Sequence, residues 1–287
     1  MTQGTGTNRE KRMNRVWLIT GANSGFGRAI TEAAVSGGDI VAATARRVTA
    51  LDDIAAAHPD QVEALALDVT DPAGIEMTVR EIIGRHGRID VLVNNAGRSH
   101  VGAAEETTDA ELRSLFEVHV FGPAALIRAV LPHMRARGSG AIVQLSSVGG
   151  QLSFAGFSAY SATKFALEGM SEALADEVRP FGIKVLIAEP GAFRTALFAN
   201  ITRSPAIDDY AATVGATRSM TETSNGSQPG DPAKAAAAIL AALDAEQTPL
   251  RLPLGDDAVD AILGHLDTVR GEVTSWEKLA RGTRMAD

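Results

Sequence analysis

No cysteine occurs among the 287 residues of this chain. That excludes a disulfide scaffold, a thiol nucleophile and any thiolate-ligated zinc or iron–sulfur site. It fits a reducing compartment, so a cytoplasmic protein is expected. Positive charge is outweighed: 27 Lys and Arg face 35 Asp and Glu, a formal net charge of −8. A broad phosphate-binding surface, and with it a nucleic-acid partner, is not expected. Long apolar runs are missing as well. The longest charge-free stretch, residues 138–163, is crowded with Gly and Ser, unlike a membrane span, and no span is expected. Residues 1–14 are polar and basic without the apolar core of a secretory signal, and read as a flexible tail. The six histidines show no metal-ligand spacing, so no metal site is expected.

What is present is 45% apolar and 22% charged, the composition of a soluble globular protein. Short apolar runs alternate with amphipathic stretches. VWLIT (16–20), IVAAT (40–44), VEALAL (62–67), VLV (91–93), AIVQL (141–145) and KVLIA (184–188) predict strands. Several lack strict alternation, as expected when helices cover both faces of a parallel sheet. Helices are predicted over 25–36, 49–58, 72–85 and 109–137, the last opened by the capping box Thr108 to Glu111 and kinked or ended by Pro132. The alternation predicts an α/β fold: one doubly wound parallel sheet of Rossmann type over residues 15–287, with helices on both faces. Ligands in such sheets bind at the carboxyl ends of the strands where strand order reverses. Residues 196–230 carry little periodicity and read as a substrate flap. Asp231-Pro232 then starts a helix, a short strand is expected near 250–252, and residues 256–287 form a helical extension.

Three segments carry chemistry. The first, TGANSGFG from Thr20, follows a strand and opens a helix. Its residues Gly21, Asn23, Ser24, Gly25, Phe26 and Gly27 suit a tight turn that brings backbone close to a pyrophosphate at the helix N-terminus. The spacing is GxxxGxG rather than GxGxxG, and a plain turn is the alternative. The second is Tyr160 with Lys164, four residues apart and hence on one helix face. A free phenol titrates near pH 10; a neighbouring ammonium and a bound nicotinamidium would favour its phenolate. The third is Ser147, thirteen residues before Tyr160 at a strand end, placed to hydrogen-bond a carbonyl; Ser146 competes for that role. Ser147 lacks the GxSxG setting of a hydrolase nucleophile.

With Asn94-Asn95-Ala96-Gly97 after the fourth strand and Pro190-Gly191 after the sixth, these segments in this order resemble the short-chain dehydrogenase/reductase family over about residues 15–200. Within it the chain looks most similar to bacterial oxidoreductases akin to hydroxysteroid and retinol dehydrogenases. The resemblance implies Tyr160 as general acid/base, Lys164 as the group that lowers its pKa and holds the nicotinamide ribose, and Ser147 as orienter of the carbonyl. It further implies Asp68 and Val69 beside adenine, the backbone of Asn95, Ala96 and Gly97 beside the adenosine ribose, and Pro190, Gly191 and Thr195 near the nicotinamide. Asn95 has a structural alternative, tying the central strands together. One position departs from the family: His119 stands where an Asn usually holds a water in a proton relay. Histidine can bind a water and titrate near neutrality; a packed core histidine is the alternative.

The second strand ends in Ala45, Arg46 and Arg47 where NAD-binding chains carry an acid. A guanidinium binds a 2′-phosphate that a carboxylate would repel, which favours NADP(H). The alternative is that both arginines are solvated and NAD(H) also serves. The expected activity is hydride transfer between a cofactor and a hydrophobic ketone or aldehyde, or the matching alcohol, as small-molecule substrate. Phe154, Phe157, Phe193, Phe198 and residues 197–201 suggest its apolar pocket. Competing readings are a dehydratase or epimerase on the same fold, and a weakly catalytic NADP-binding regulator. A homodimer or homotetramer, paired through helices over 109–137 and 159–181, follows from the resemblance.

Overall fold

The structure is a computed structural model and describes residues 14–224 and 226–285. Apart from Asn14, the expected tail over residues 1–14 lies outside the described residues. Along the chain run β1 (Val16–Thr20), α1 (Gly25–Ser36), β2 (Ile40–Ala45), α2 (Asp52–Ala57), β3 (Val62–Ala66), α3 (Pro72–His86) and β4 (Val91–Asn94). Next come β5 (His100–Val101), α4 (Asp109–Phe116), α5 (Gly122–Arg137), β6 (Gly140–Leu145), α6 (Ser158–Val178) and β7 (Ile183–Pro190). The chain closes with β8 (Thr202–Arg203), α7 (Val214–Thr223), α8 (Pro232–Asp244), β9 (Arg251–Leu254) and α9 (Asp256–Arg281).

Seven parallel strands form the main sheet in the order β3-β2-β1-β4-β6-β7-β9. Strand β1 explains why. All five of its residues are buried, with Trp17 and Ile19 in one apolar cluster and Val16 and Leu18 in the other, so both faces must be covered by helices. Each such fully buried side chain contributes roughly 1.5–3 kcal/mol. Strand order reverses between β1 and β4, and the crevice at their carboxyl ends receives the glycine turn, the NNAG segment and the end of β6.

Caps set the helix ends as the sequence predicts. Thr108 and Glu111 close a capping box on α4, and the Asp231 side chain accepts from the Ala233 N–H at the start of α8. Three expectations change. The helix over 109–137 contains a π-helical turn at 117–121, which separates α4 from α5. Pro132 does not end it: the chain stays helical to Arg137 and closes on Gly138 in the left-handed region at φ +66°. Residues 196–230 are not a plain loop, because β8 pairs with β5 and α7 spans ten residues. A two-residue strand has no period to read, and α7 buries only Val214 and Thr221. By length and composition the continuous helix Asp109–Arg137 would pass for a membrane span; in the fold its α5 portion packs against α3, β4 and β6.

Candidate active site

The glycine turn joins β1 to α1. Gly21 and Gly25 adopt φ of +64° and +54°, a region that side chains disfavour. Gly27 needs its missing side chain for a different reason: a Cβ there would stand 2.3 Å from Gly21 O and 2.5 Å from Asn95 Nδ2. The N-cap Ser24 makes no side-chain cap bond, so the first N–H groups of α1 are open to an anion. Asn23 and Ser24 are exposed, and Phe26 is half-buried with its ring 5.1 Å from that of Phe193. Those uncapped donors, beside a turn whose three glycines leave the backbone bare at positions 21, 25 and 27, fit a dinucleotide diphosphate.

The NNAG segment closes the other side of the turn. Asn95 Nδ2 donates to Thr20 O at 2.8 Å and Gly21 O at 3.1 Å, while Thr20 Oγ1 accepts from the N–H groups of Asn95 and Ala96. Asn95 therefore ties β1 to β4, the structural alternative for that residue. Gly97 abuts His119: a Cβ on it would lie 3.2 Å from Nε2. At the end of β2, Ala45 is buried and Arg46 exposed, near enough to Asp68 to help hold its carboxylate ionised. The Asp68 carboxylate accepts from Thr70 N and Oγ1, and the Thr70 N–H above all holds it below the usual range, against an opposing effect of burial. Val69 is buried, with its carbonyl facing Gly122.

Across the crevice, β6 ends at Leu145 and α6 brings Tyr160 and Lys164 beneath it. Ser147 Oγ accepts from Gly149 N–H at 3.0 Å and also interacts with the Tyr160 hydroxyl. Ser146 is buried instead beside Gly150 and Glu168, away from the Tyr160 hydroxyl that Ser147 meets. Burial pushes the Tyr160 pKa up, and Ser147 only partly opposes it. Lys164 Nζ donates to Leu145 O at 2.7 Å and sits 5.8 Å from the centre of the Tyr160 ring. Burial lowers its pKa to about 8, against an opposing pull from Glu168. The expected depression of the Tyr160 pKa by Lys164 is thus not a property of the chain alone, because desolvation dominates there.

His119 is packed rather than poised. Thr163 Oγ1 gives its hydrogen to Tyr160 O at 2.7 Å, so it accepts from His119 Nδ1–H, also at 2.7 Å. Nε2 then accepts from the Arg98 backbone N–H at 3.1 Å. Both ring nitrogens are engaged by protein groups, and burial, then Lys164 and Arg98, holds the pKa well below the usual value. The ring meets that of Tyr160 edge-on, with centres 5.7 Å apart. The water-holding role expected of His119 finds no free nitrogen here, and Thr163 and Arg98, its partners, carried no signal in the sequence.

Also unforeseen is a buried carboxylate pair behind Lys164. Glu168, four residues on, and Glu189, just before Pro190, are 4% and 0% exposed. Gln151 Nε2 donates to Glu189 Oε1 at 2.8 Å and reaches Glu168 Oε2 at 3.3 Å; Arg251 Nε lies 3.3 Å from Glu168 Oε2 and 3.5 Å from Glu189 Oε1. Burial first and the neighbouring Glu168 second push Glu189 up to about 7. Pro190 ends β7. Gly191 N donates to Leu254 O, and its open side faces Asp257, whose carboxylate accepts from Ala192 N. Thr195 packs against Gly25.

The four candidate pocket phenylalanines separate. Phe157 and Phe198 join Tyr160, Ile201 and Val214 in one apolar cluster, whereas Phe193 packs on Phe26 and Phe154 is exposed. The segment over 196–230 is fastened by the buried Glu106, which accepts from Ile207 N and Ala103 N and pairs with Arg218 at 2.7 Å. His100 adds bonds to Thr202 and Ser204. Among the described residues no group of three or more His, Asp or Glu is arranged to hold a metal ion.

Comparison with known proteins places this geometry. A family model described as short chain dehydrogenase matches residues 15–206. The chain is 37% identical over 270 residues to the oxidoreductase BOA17 of Botryotinia fuckeliana, covering 93% of this chain and 98% of that protein. It is 65% identical to the crystal structure of a short-chain dehydrogenase from Streptomyces avermitilis, with a TM-score of 0.91 over 95% of this chain and 99% of that one. More distant structures hold a dinucleotide. A metagenomic short-chain oxidoreductase in complex with NADP is 28% identical, with a TM-score of 0.67 over 84% and 96% of the two chains. A Brucella melitensis 3-ketoacyl-(acyl-carrier-protein) reductase complexed with NADH is 27% identical, with a TM-score of 0.71 over 83% and 96%.

Proposed function

The chain belongs to the short-chain dehydrogenase family, an oxidoreductase of the nicotinamide-dependent kind, and from that premise we propose that it interconverts a hydrophobic ketone or aldehyde and its alcohol with NADP(H). The observation that carries this reading is the convergence of Ser147, Tyr160 and Lys164 at the end of β6, across the crevice from the glycine turn.

The bound nicotinamide supplies or accepts the hydride at its C4 atom. The chain's own groups position the carbonyl and handle the proton. Ser147 and Tyr160 donate hydrogen bonds to the carbonyl oxygen, and the Tyr160 proton passes to that oxygen as it gains negative charge. Burial keeps Tyr160 a phenol at neutral pH in the free protein, which suits it to donate in the direction of reduction. Lys164, fixed on the Leu145 carbonyl and close to the Tyr160 ring, would hold the ribose and favours the phenolate once the proton has left. His119 is a positioning residue: it joins the Arg98 amide, after β4, to Thr163 on the turn of α6 that carries Tyr160. The open N-terminus of α1 would hold the diphosphate, and Arg46, where NAD-binding chains carry an acid, would receive a 2′-phosphate. The cluster of Phe157, Phe198, Ile201 and Val214 beside Tyr160 supports an apolar substrate.

We place the enzyme in the cytoplasm on its lack of cysteine. Exposed Phe121, next to α5, and Phe165 on α6 support pairing of copies through those helices.

The test is a panel of ketones, aldehydes and secondary alcohols with each cofactor, read by absorbance of the reduced nicotinamide. Wild type is expected to prefer NADPH, and Ala45→Asp to lower kcat/KM with NADPH at least tenfold while sparing NADH. Equal use of both cofactors by the two proteins would overturn the role given to Arg46. No turnover on any substrate, with NADPH bound, would overturn the catalytic reading.

A further inference from the structure

The C-terminal helix α9 leaves the body of the protein with its apolar face uncovered. Ala258 and Ile262 anchor its start. From Leu263 to Arg281 no residue is buried, and only His265 is partly covered. Those nineteen residues extend about 28 Å at 1.5 Å per residue. A helix of this length is marginal on its own in water, and Gly264 and Gly271 each weaken it by about 1 kcal/mol. Its charged pairs, Arg281 with Glu277 and Arg270 with Asp267, contribute a few tenths of a kcal/mol apiece.

The uncovered face has a period. Leu266, Val269, Val273, Trp276 and Ala280 fall at alternating spacings of three and four, the seam of a two-stranded coiled coil. Trp276 and Val273 are both 66% exposed, and Leu279, at the seam's edge, is 67% exposed. The charges say what covers the seam. Between Leu263 and Arg281 three acidic residues balance three Lys and Arg, unlike the basic polar face that an anionic lipid surface wants. One flank of the seam carries Arg270 and, seven residues on, Glu277. When two such helices run antiparallel about a two-fold axis, Arg270 lies opposite the partner's Glu277 and Val273 against the partner's Trp276. The flank is complementary to itself, the requirement of an isologous contact.

We infer that α9 is an association surface whose occupant is a second copy of this chain, paired antiparallel along the seam from Val269 to Ala280. The contact goes beyond the catalytic reading and does not depend on it, since none of these residues touches the crevice. Sedimentation equilibrium of the full chain at micromolar concentration tests it, with circular dichroism to check folding. Val273→Glu is expected to halve the mass of the assembly. Arg270→Glu, which sets two carboxylates against each other, is expected to weaken association at least tenfold, and Arg270→Glu with Glu277→Arg to recover most of that loss. An unchanged mass in Val273→Glu overturns the proposal, as does failure of the double exchange to recover association. So does a monomeric wild type that instead cosediments with phosphatidylcholine–phosphatidylglycerol vesicles.

Discussion

On the β1 side of the crevice the groups offered to a ligand are backbone amides and glycines, with Asn23, Ser24 and Arg46 exposed around them. On the β6 side they are buried side chains: Tyr160, Lys164 and His119, with Glu168 and Glu189 behind them. The first side works by shape, and a single added carbon spoils it. The second works by protonation, and its state is set by what packs around each group. Binding and chemistry should therefore fail separately when each side is damaged.

The largest effect is expected from Tyr160→Phe. Removing the hydroxyl should lower kcat by about 10³-fold, within the range for a positioned acid. The dissociation constant for NADPH, followed by its fluorescence, should stay within threefold, because the glycine turn is untouched. Parallel loss of binding and turnover would show that the two sides are not independent.

Gly27→Ala attacks the other side. The new methyl would meet Gly21 O and Asn95 Nδ2 well inside contact distance, and overpacking of this kind costs about 1–3 kcal/mol. Weaker NADPH binding, by tenfold or more, and a lower Tm in calorimetry are expected together. A variant that binds normally would mean the turn is not shaped for the cofactor.

The smallest effect concerns the carboxylate pair. Folding raises the Glu189 pKa to about 7 from its ordinary value near 4.5, so the folded state holds the extra proton. Stability from this group is full at pH below the unfolded value and is lost as pH rises through about 7. Between pH 5 and 8, wild type should lose roughly 1–3 kcal/mol more than Glu189→Gln in urea denaturation. Parallel pH profiles would mean that the proton is not shared in the way the packing implies.

This division also explains what the sequence alone could show. The strand runs, the glycine turn, the NNAG segment and the Thr108–Glu111 capping box are local patterns, and each lies where its spacing predicted. The different settings of Ser147 and Ser146 and the packed state of His119 depend on contacts from other elements: Tyr160 and Glu168 on α6 for the serines, Thr163 and Arg98 for the histidine. Glu168 and Glu189 lie 21 positions apart, on α6 and β7, and no spacing rule joins them. The apolar cluster beside Tyr160 was half-legible for the same reason: Phe157 and Phe198 share it with Ile201 and with Val214 of α7, in a segment whose β8 is too short to have a period and whose α7 buries only two residues.

The protein has two tryptophans, and they stand in opposite settings. Trp17 in β1 is fully enclosed and donates to Asp39 at 2.8 Å, whereas Trp276 on α9 is two-thirds open to water. Each region thus carries its own intrinsic fluorophore: a shielded indole that reports melting of the sheet, and a solvated one that iodide can quench.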